Sequence, residues 1–372
     1  MNKRLKNVDY NELVKQHIDI LRGLQYKSGL FAASSKKVST GYDKSWLRDN
    51  FYECLAFEII GDWGTVQKTY RAVLKIFEKH ISKIKSAIEN KPTERWQYIH
   101  ARYHPETFDE FWEEWGNKQN DSIGAILFKL GELYSHKENG HSFSILRTKE
   151  DLYLVQLLVD YLQSIEYWHD PDSGMWEENE EIHSSSVGAC VAGLKKISKV
   201  PGITVSNTLI RLGQETLDKL LPRESEGKFV DLALLSLIYP YEVVSRSQRK
   251  TILENVEYHL LRKRGVIRYK GDYYYNKNPD GRSEEAEWTF GLSWLSIIYS
   301  KLGKRKKALN FEKLALNTVN KDGEEPELYF SNSPKYNENS PLGWAESLLV
   351  VSIYEMHKKH KTAGNLRKLS GK

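Results

Sequence analysis

Cysteine is nearly absent: Cys54 and Cys190 are the only two in 372 residues. Two thiols make neither a disulfide framework nor a zinc site. No uncharged apolar run reaches the 18 or more residues that a membrane-spanning helix needs. The opening MNKRLKNVDYNELVKQ has basic residues but lacks the apolar stretch of a secretory signal. A soluble, cytoplasmic protein without a membrane partner is therefore expected. Glycine-rich phosphate loops are missing, and no set of His, Cys and carboxylate residues has metal-ligand spacing, so no cofactor and no metal is expected. Nor is charge of one sign concentrated, since 55 basic and 50 acidic residues leave +5. The one dense basic stretch, HKKHKTAGNLRKLSGK (357–372), reads as a frayed tail from about residue 360 and not as a nucleic-acid contact.

Aromatic residues are abundant. Ten tryptophans and 22 tyrosines exceed what a core requires, because each carries a polar group that wants a partner. Such residues line polar clefts. The hydrophobic spacing predicts twelve helices, at about 9–26, 49–60, 63–82, 121–136, 150–166, 184–197, 205–221, 228–239, 245–262, 285–302, 304–319 and 342–359. In the fifth, Leu152, Leu154, Leu157, Leu158, Tyr161 and Leu162 recur at the 3–4 spacing of one buried stripe. Gly265 and Gly303 mark expected helix ends, and Ser340-Pro341 an expected start. Composition does not shift along the chain and no long linker divides it, so residues 1–372 read as one domain. Loops on alternate connections are long, which suits a closed ring of six inner and six outer helices. An α-solenoid is the rival, but no fixed repeat period is found.

Several loops combine residues whose chemistry invites attention. SWLRDN (45–50) sets Trp46, Arg48 and Asp49 at a helix start, where Asp49 serves equally as a first-turn acid or as half of a hydroxyl-gripping pair. EEWGNKQND (113–121) supplies Trp115 and Gln119, with Asp121 as a helix cap. IRYKGDYYYN (267–276) adds Arg268 and Asp272 beside three consecutive tyrosines. A pyranose offers hydroxyl edges and an apolar face, so planar polar groups next to aromatic rings suit it. GMWEENEEIHSSS (174–186) and DGEEPELYFSNSP (322–334) each place a glutamate against apolar neighbours, Glu177 beside Trp176 and Glu327 between Pro326 and Leu328. Two carboxylates partly desolvated by separate loops are the raw material of general acid and base chemistry at an acetal, although hydrated acids near helix starts explain the same letters.

Taken in order, SGLFAASSKKVSTGYDKSWLRDN, WGNKQND, GMWEENEEIHSSS, IRYKGDYYY, EEAEWTFGLSWL and PELYF followed by PLGWAESLL resemble the glucoamylase-like glycoside hydrolases of family 15, over residues 15 to 355 or so. That resemblance implies an all-α (α/α)6 barrel with its active site at one end, and an inverting, exo-acting hydrolase that releases β-glucose from small α-gluco-oligosaccharides linked α-1,6 or α-1,4. It implies Glu177 as general acid and Glu327 as general base. Arg48 and Asp49 would hold the outer hydroxyls of the terminal glucose, Arg268 with Asp272 would reach the cleavage point, and Glu178 would bind a sugar hydroxyl. Trp46, Trp115 and Trp176 would wall the pocket, with Gln119, Trp288 and Trp344 also at the sugar. Glu180 and Glu181 would remain solvated acids. His183 is expected either as a capping residue or as the orienter of a pocket carboxylate. With barrel helices starting near residue 9, neither a preceding β-rich domain nor a starch-binding module is expected, and a small oligosaccharide is expected over granular starch. Phosphorylase kinase regulatory subunits share the PELYF wording, so a sugar-sensing domain is the alternative.

Overall fold

The computed structural model describes residues 9–35, 37–113, 115–134, 136–138, 141, 142, 145–276 and 284–369. Glu114, the last seven residues of the 270–283 loop and the last three of the basic tail lie outside these. Among the described residues twelve α-helices run α1 Tyr10–Leu24, α2 Leu47–Ile60, α3 Trp63–Lys79, α4 Ile81–Glu89, α5 Asn120–Tyr134, α6 Lys149–Ser164, α7 Ser184–Ile197, α8 Asn207–Leu220, α9 Arg246–His259, α10 Phe290–Lys301, α11 Arg305–Leu316 and α12 Gly343–Leu369. A 3-10 helix spans Leu232–Leu237.

Contacts between elements close a ring. α2 packs on α5, α5 on α7, α7 on the 3-10 helix, that helix on α10, α10 on α12, and α12 back on α2. Six outer helices cover it: α1 against α12, α3 against α2, α6 against α5, α8 against α7, α9 against the 3-10 helix and α11 against α10. This is the (α/α)6 barrel. The sequence explains which helices go inside. α7 buries twelve of its residues, on every side, as an element surrounded by protein must. α8 buries only Leu209, Gly213 and Leu217, one stripe of an amphipathic surface helix. α5 and α7 also come unusually close, because Gly124 and Gly193 meet there. A Cβ on Gly124 would stand 2.4 Å from the Ala189 carbonyl carbon, and one on Gly193 2.4 Å from the Gly124 oxygen.

Several expectations change. α12 runs on to Leu369, through most of the stretch expected to fray, and the expected 285–302 helix starts only at Phe290, after a short strand at Glu287–Trp288. Residues 228–239 form no α-helix: Asp231 caps a tighter 3-10 turn by accepting from Ala233 N at 2.7 Å, and Ser236 Oγ donates back to Ala233 O at 2.7 Å. The ninth predicted helix stops at His259 and not at Gly265, and Arg262 Nη1 donates to the His259 carbonyl at 3.0 Å from beyond the helix. The predicted 63–82 helix breaks at His80, giving the separate α4. α12 starts at Gly343, since the Ser340 hydroxyl is turned to Glu324 Oε2 at 3.1 Å and does not cap it. Gly303 behaves as expected, following the end of α10 with φ +72°.

Short ribbons tie the loops between helices. β1 Ser45–Trp46 pairs antiparallel with β2 Arg102–Tyr103, and β5 Glu287–Trp288 with β6 Leu328–Tyr329. A third joins β3 Lys137–Glu138 to β4 His141–Ser142. The first two ribbons, and the N-termini of α2, α5, α7, α10 and α12, all gather at one end of the barrel. Among the described residues no helix is long and apolar enough to cross a membrane.

Candidate active site

A cavity of about 280 Å³ opens at that end, and eleven of the thirteen residues singled out from the sequence line it: Trp46, Arg48, Asp49, Trp115, Trp176, Glu177, Glu178, Arg268, Trp288, Glu327 and Trp344. Gln119 and Asp272 stand one step behind. Gln119 accepts from Arg48 Nη1 at 2.7 Å, and Asp272 grips Arg268 through two bonds of 2.7 Å. A larger cleft of about 1480 Å³ lies on the outer surface between α9 and the α10–α11 hairpin, but its two carboxylates, Glu254 and Glu257, share one helix and pair with Lys250 and Lys307.

Glu177 sits in a turn that only this fold could hold open. Its φ is +65°, the left-handed region that L-residues avoid, so neighbouring structure must impose it. Gly116 does so from the adjacent loop: a Cβ there would meet the Glu177 carbonyl oxygen at 2.6 Å and its Cα at 2.9 Å. Glu178 N also donates to Ser173 O at 3.0 Å, closing the turn. Trp176 is fixed by donating Nε1–H to Asp231 Oδ1 at 2.8 Å, which explains why the 3-10 helix begins with that aspartate. Arg48 Nη2 donates to Glu177 Oε1 at 3.1 Å while Nη1 reaches Asp121 Oδ2 at 3.2 Å, so one guanidinium is shared between two carboxylates. Burial raises Glu177 to about 7; Arg48 opposes this and Asp49 adds to it. Asp49 itself is raised to about 6, chiefly by burial.

Glu327 comes from the other loop. The β5–β6 register sets Trp288 opposite Leu328, placing Glu327 beside the wall that Trp288 forms. Three neutral donors converge on its carboxylate: Tyr42 Oη on Oε1 at 3.1 Å, and Asn339 Nδ2 at 2.8 Å together with Asn337 Nδ2 on Oε2. Burial lifts it to about 7 against the pull of these donors. Tyr42 also meets Tyr274 Oη at 3.1 Å. Tyr42, Asn337 and Asn339 were missed by sequence reasoning. Each lies in a turn-rich stretch where tyrosine and asparagine are ordinary, and only Tyr42's place just before SWLRDN hinted at more.

Glu178 is an ionised anchor. Burial would raise it, but Arg268 Nη2 at 2.9 Å, Lys228 Nζ at 2.8 Å and Tyr269 Oη at 2.7 Å together hold it below the ordinary range. Arg268 in turn lies over the Trp288 and Tyr274 rings, each with its guanidinium carbon 4.9 Å from the centroid. The neighbouring acids and histidine behave differently from one another. Glu180 stays partly exposed, as expected, and pairs at the surface with Arg95 Nε at 2.5 Å. Glu181 turns one oxygen inward, where it is buried. His183 neither lines the cavity nor caps α7 through its side chain. It pairs with Glu224 at 3.4 Å and packs beneath Gly174, at the base of the turn carrying Glu177.

The buried acids make stability depend on pH with a definite sign. Burial raises Asp172 and Asp231 to about 7, and holds Glu53 and Glu325 well above the usual carboxylate range. Between about pH 4.5 and 7 the folded chain then binds more protons than the unfolded one, so stability falls as pH rises through that window. Calorimetry is expected to give a melting temperature several degrees higher at pH 5.5 than at pH 8; an equal or higher value at pH 8 would contradict these environments.

Both fold and cavity define a class before any sequence comparison: a helical toroid with loop-borne carboxylates facing an aromatic-walled site. The sequence model of glycosyl hydrolases family 15 matches residues 8–200, and the chain belongs to that family. An uncharacterized glycosyl hydrolase of Methanocaldococcus jannaschii is 23% identical over 391 residues, covering 95% of this chain and 57% of that protein. A probable phosphorylase b kinase regulatory subunit alpha of Caenorhabditis elegans is 29% identical over 227 residues, or 50% of this chain and 18% of that subunit. The chain thus spans less than two thirds of these relatives. Among solved structures, a wild-type glycosidase superposes with TM-score 0.77 at 17% identity, covering 93% of this chain and 96% of its own. A bacterial glucoamylase complexed with acarbose gives TM-score 0.66 at 17% identity, over 94% of this chain and 56% of its own. These share the barrel.

Proposed function

We propose that this chain is an inverting, exo-acting glycoside hydrolase that releases β-glucose from the non-reducing end of small α-gluco-oligosaccharides, α-1,6 or α-1,4 linked. The observation that carries the reading is the pair Glu177 and Glu327, on separate loops, both lining one cavity of about 280 Å³. That volume suits a single terminal sugar better than the middle of a chain. Glu177, as acid, gives its proton to the glycosidic oxygen as the bond to the anomeric carbon breaks. Glu327, as base, takes a proton from the water that attacks the opposite face. Roughly 6.5–9.5 Å between the carboxyl groups is what this displacement requires. Tyr42, Asn337 and Asn339 favour the ionised form of Glu327, as a base needs. Arg48, Asp49 and Glu178 offer hydrogen bonds to sugar hydroxyls, while Trp46, Trp115, Trp176, Trp288 and Trp344 offer apolar faces. The chain works as one domain, and its two buried, free cysteines suit the cytoplasm.

The test follows the anomer. Incubation with isomaltose, maltose, panose and short dextrans, watched by proton NMR within the first minutes, is expected to show β-glucose before mutarotation blurs it. α-Glucose as first product would refute inversion. A second reading, a sugar-sensing domain, is favoured by the likeness to phosphorylase kinase regulatory subunits. Glucose binding without turnover of any α-glucoside would select it.

A further inference from the structure

Behind the cavity, outside its lining, three buried ionisable side chains connect an outer helix to the loop that carries Glu327. His17 of α1, Glu346 of α12 and Glu325 are each 0% exposed. His17 Nδ1 lies 2.5 Å from Glu346 Oε2. The other Glu346 oxygen accepts the backbone N–H of Glu325 at 2.6 Å. Glu325 stands two residues before Glu327, with Pro326 between them restricting the backbone. Its carboxylate takes the Thr318 hydroxyl at 2.6 Å, and its carbonyl oxygen accepts from Leu342 N at 2.9 Å. On the far side, Glu327 N donates to Asn339 O at 3.0 Å, and the Thr289 hydroxyl donates to Pro326 O at 2.6 Å. The segment Glu325–Glu327 is thus held at both ends, and one of its holds runs through a carboxylate that His17 orients.

Stability alone is a poor reason for this arrangement. A buried carboxylate with one imidazole and one peptide partner carries a large desolvation penalty, and apolar groups of similar volume commonly serve as well. What such groups cannot supply is an acceptor of fixed direction for the Glu325 N–H. Direction is what a general base needs, because a displacement of about 1 Å at the reacting group lowers rate on the order of a hundredfold.

We propose that His17 and Glu346 are positioning residues for Glu327: they fix the Glu325–Glu327 segment so that the Glu327 carboxylate meets its water in the attacking geometry. This rests on the glycosidase reading. The test compares H17F, which keeps ring volume but loses the donor, with H17N, whose amide nitrogen can replace Nδ1. Substrates are an α-1,6 or α-1,4 disaccharide and α-glucosyl fluoride, whose leaving group needs little acid help. H17F is expected to lose about ten- to a hundredfold in kcat, equally on both substrates, with KM and glucose inhibition within about twofold of wild type. H17N is expected to restore most of the loss. If H17F does not fold, E346L carries the test; it removes the acceptor for the Glu325 N–H and is expected to give the same fall in kcat at unchanged KM. Unaltered kcat in folded H17F or E346L, a loss confined to KM, or equal losses in H17F and H17N would overturn the brace while wild-type turnover keeps the glycosidase reading. Absence of wild-type turnover on α-glucosyl fluoride would overturn both.

Discussion

Glu327→Gln is expected to lower kcat on any cleaved α-glucoside by about a hundred- to ten-thousandfold, the usual contribution of a general base, with KM changed little. The substitution isolates chemistry from folding. A glutamine at 327 can direct its amide oxygen at Asn337 and Asn339, which now donate to Oε2. Its amide nitrogen then faces Tyr42 Oη, which donates to Oε1 in the wild type and can accept instead. All three partners stay satisfied, and a buried carboxylate is replaced by a neutral group, so the melting temperature should hold or rise. Glucose should still bind, because the base faces the attacking water and not the ring hydroxyls. The pH profile offers an independent check. Glu327 must be ionised to act, and burial holds it near 7; the wild-type rate should therefore fall as pH drops through that value. In the glutamine variant this acid limb should vanish from the residual activity. Unchanged kcat in a folded E327Q protein would remove Glu327 from the mechanism.

Much of the fold was legible in the sequence, and the physical reason is local. Helix periodicity survives in a linear string, so eleven of the twelve predicted helices have α-helical counterparts. The loops bearing Trp46, Arg48, Glu177 and Arg268 stood out because tryptophan, arginine and clustered acids are unusual in turns. What stayed hidden depends on contacts far apart in the chain. Tyr42 matters because of a carboxylate 285 positions away, and apart from its place just before SWLRDN it reads as an ordinary turn tyrosine. Asn337 and Asn339 sit in NSPKYNENSP, where asparagine is the default. The run DLALLSLIYP reads as a buried helix by hydrophobicity, since an apolar stretch has no period to separate α from 3-10; the cap by Asp231, and the bond from Trp176 to that same carboxylate, decide it. His17 lies inside the first predicted helix, and its partner Glu346 is 329 positions away. Gln119 and Asp272 were found by sequence yet serve the cavity indirectly, holding the arginines that line it.

Glu177→Gln should separate two halves of the reaction more sharply than any other change. On an oligosaccharide, whose leaving alkoxide must be protonated, kcat is expected to fall by about a hundred- to ten-thousandfold. On α-glucosyl fluoride the fall should be about tenfold or less, because fluoride departs without a proton donor of this strength. Glu327→Gln, by contrast, should be poor on both substrates, since each needs an activated water. The site favours a clean experiment. A glutamine inherits the +65° φ that Gly116 and the 173–178 turn impose, so no new strain is introduced. Its amide oxygen can still accept from Arg48, whose other nitrogen keeps Gln119 and Asp121. The sign of the pH effect is opposite to that for the base. Glu177 works protonated, and burial lifts it to about 7 despite Arg48. Wild-type rate on oligosaccharides should therefore fall as pH rises through about 7, and that alkaline limb should be missing in the variant. With both carboxylates held near the same value, the wild-type profile should be a narrow bell centred close to neutrality. A broad plateau from pH 5 to 9 would mean that neither environment tunes catalysis. Equal losses on oligosaccharide and fluoride would mean that Glu177 positions the sugar and does not protonate its leaving group.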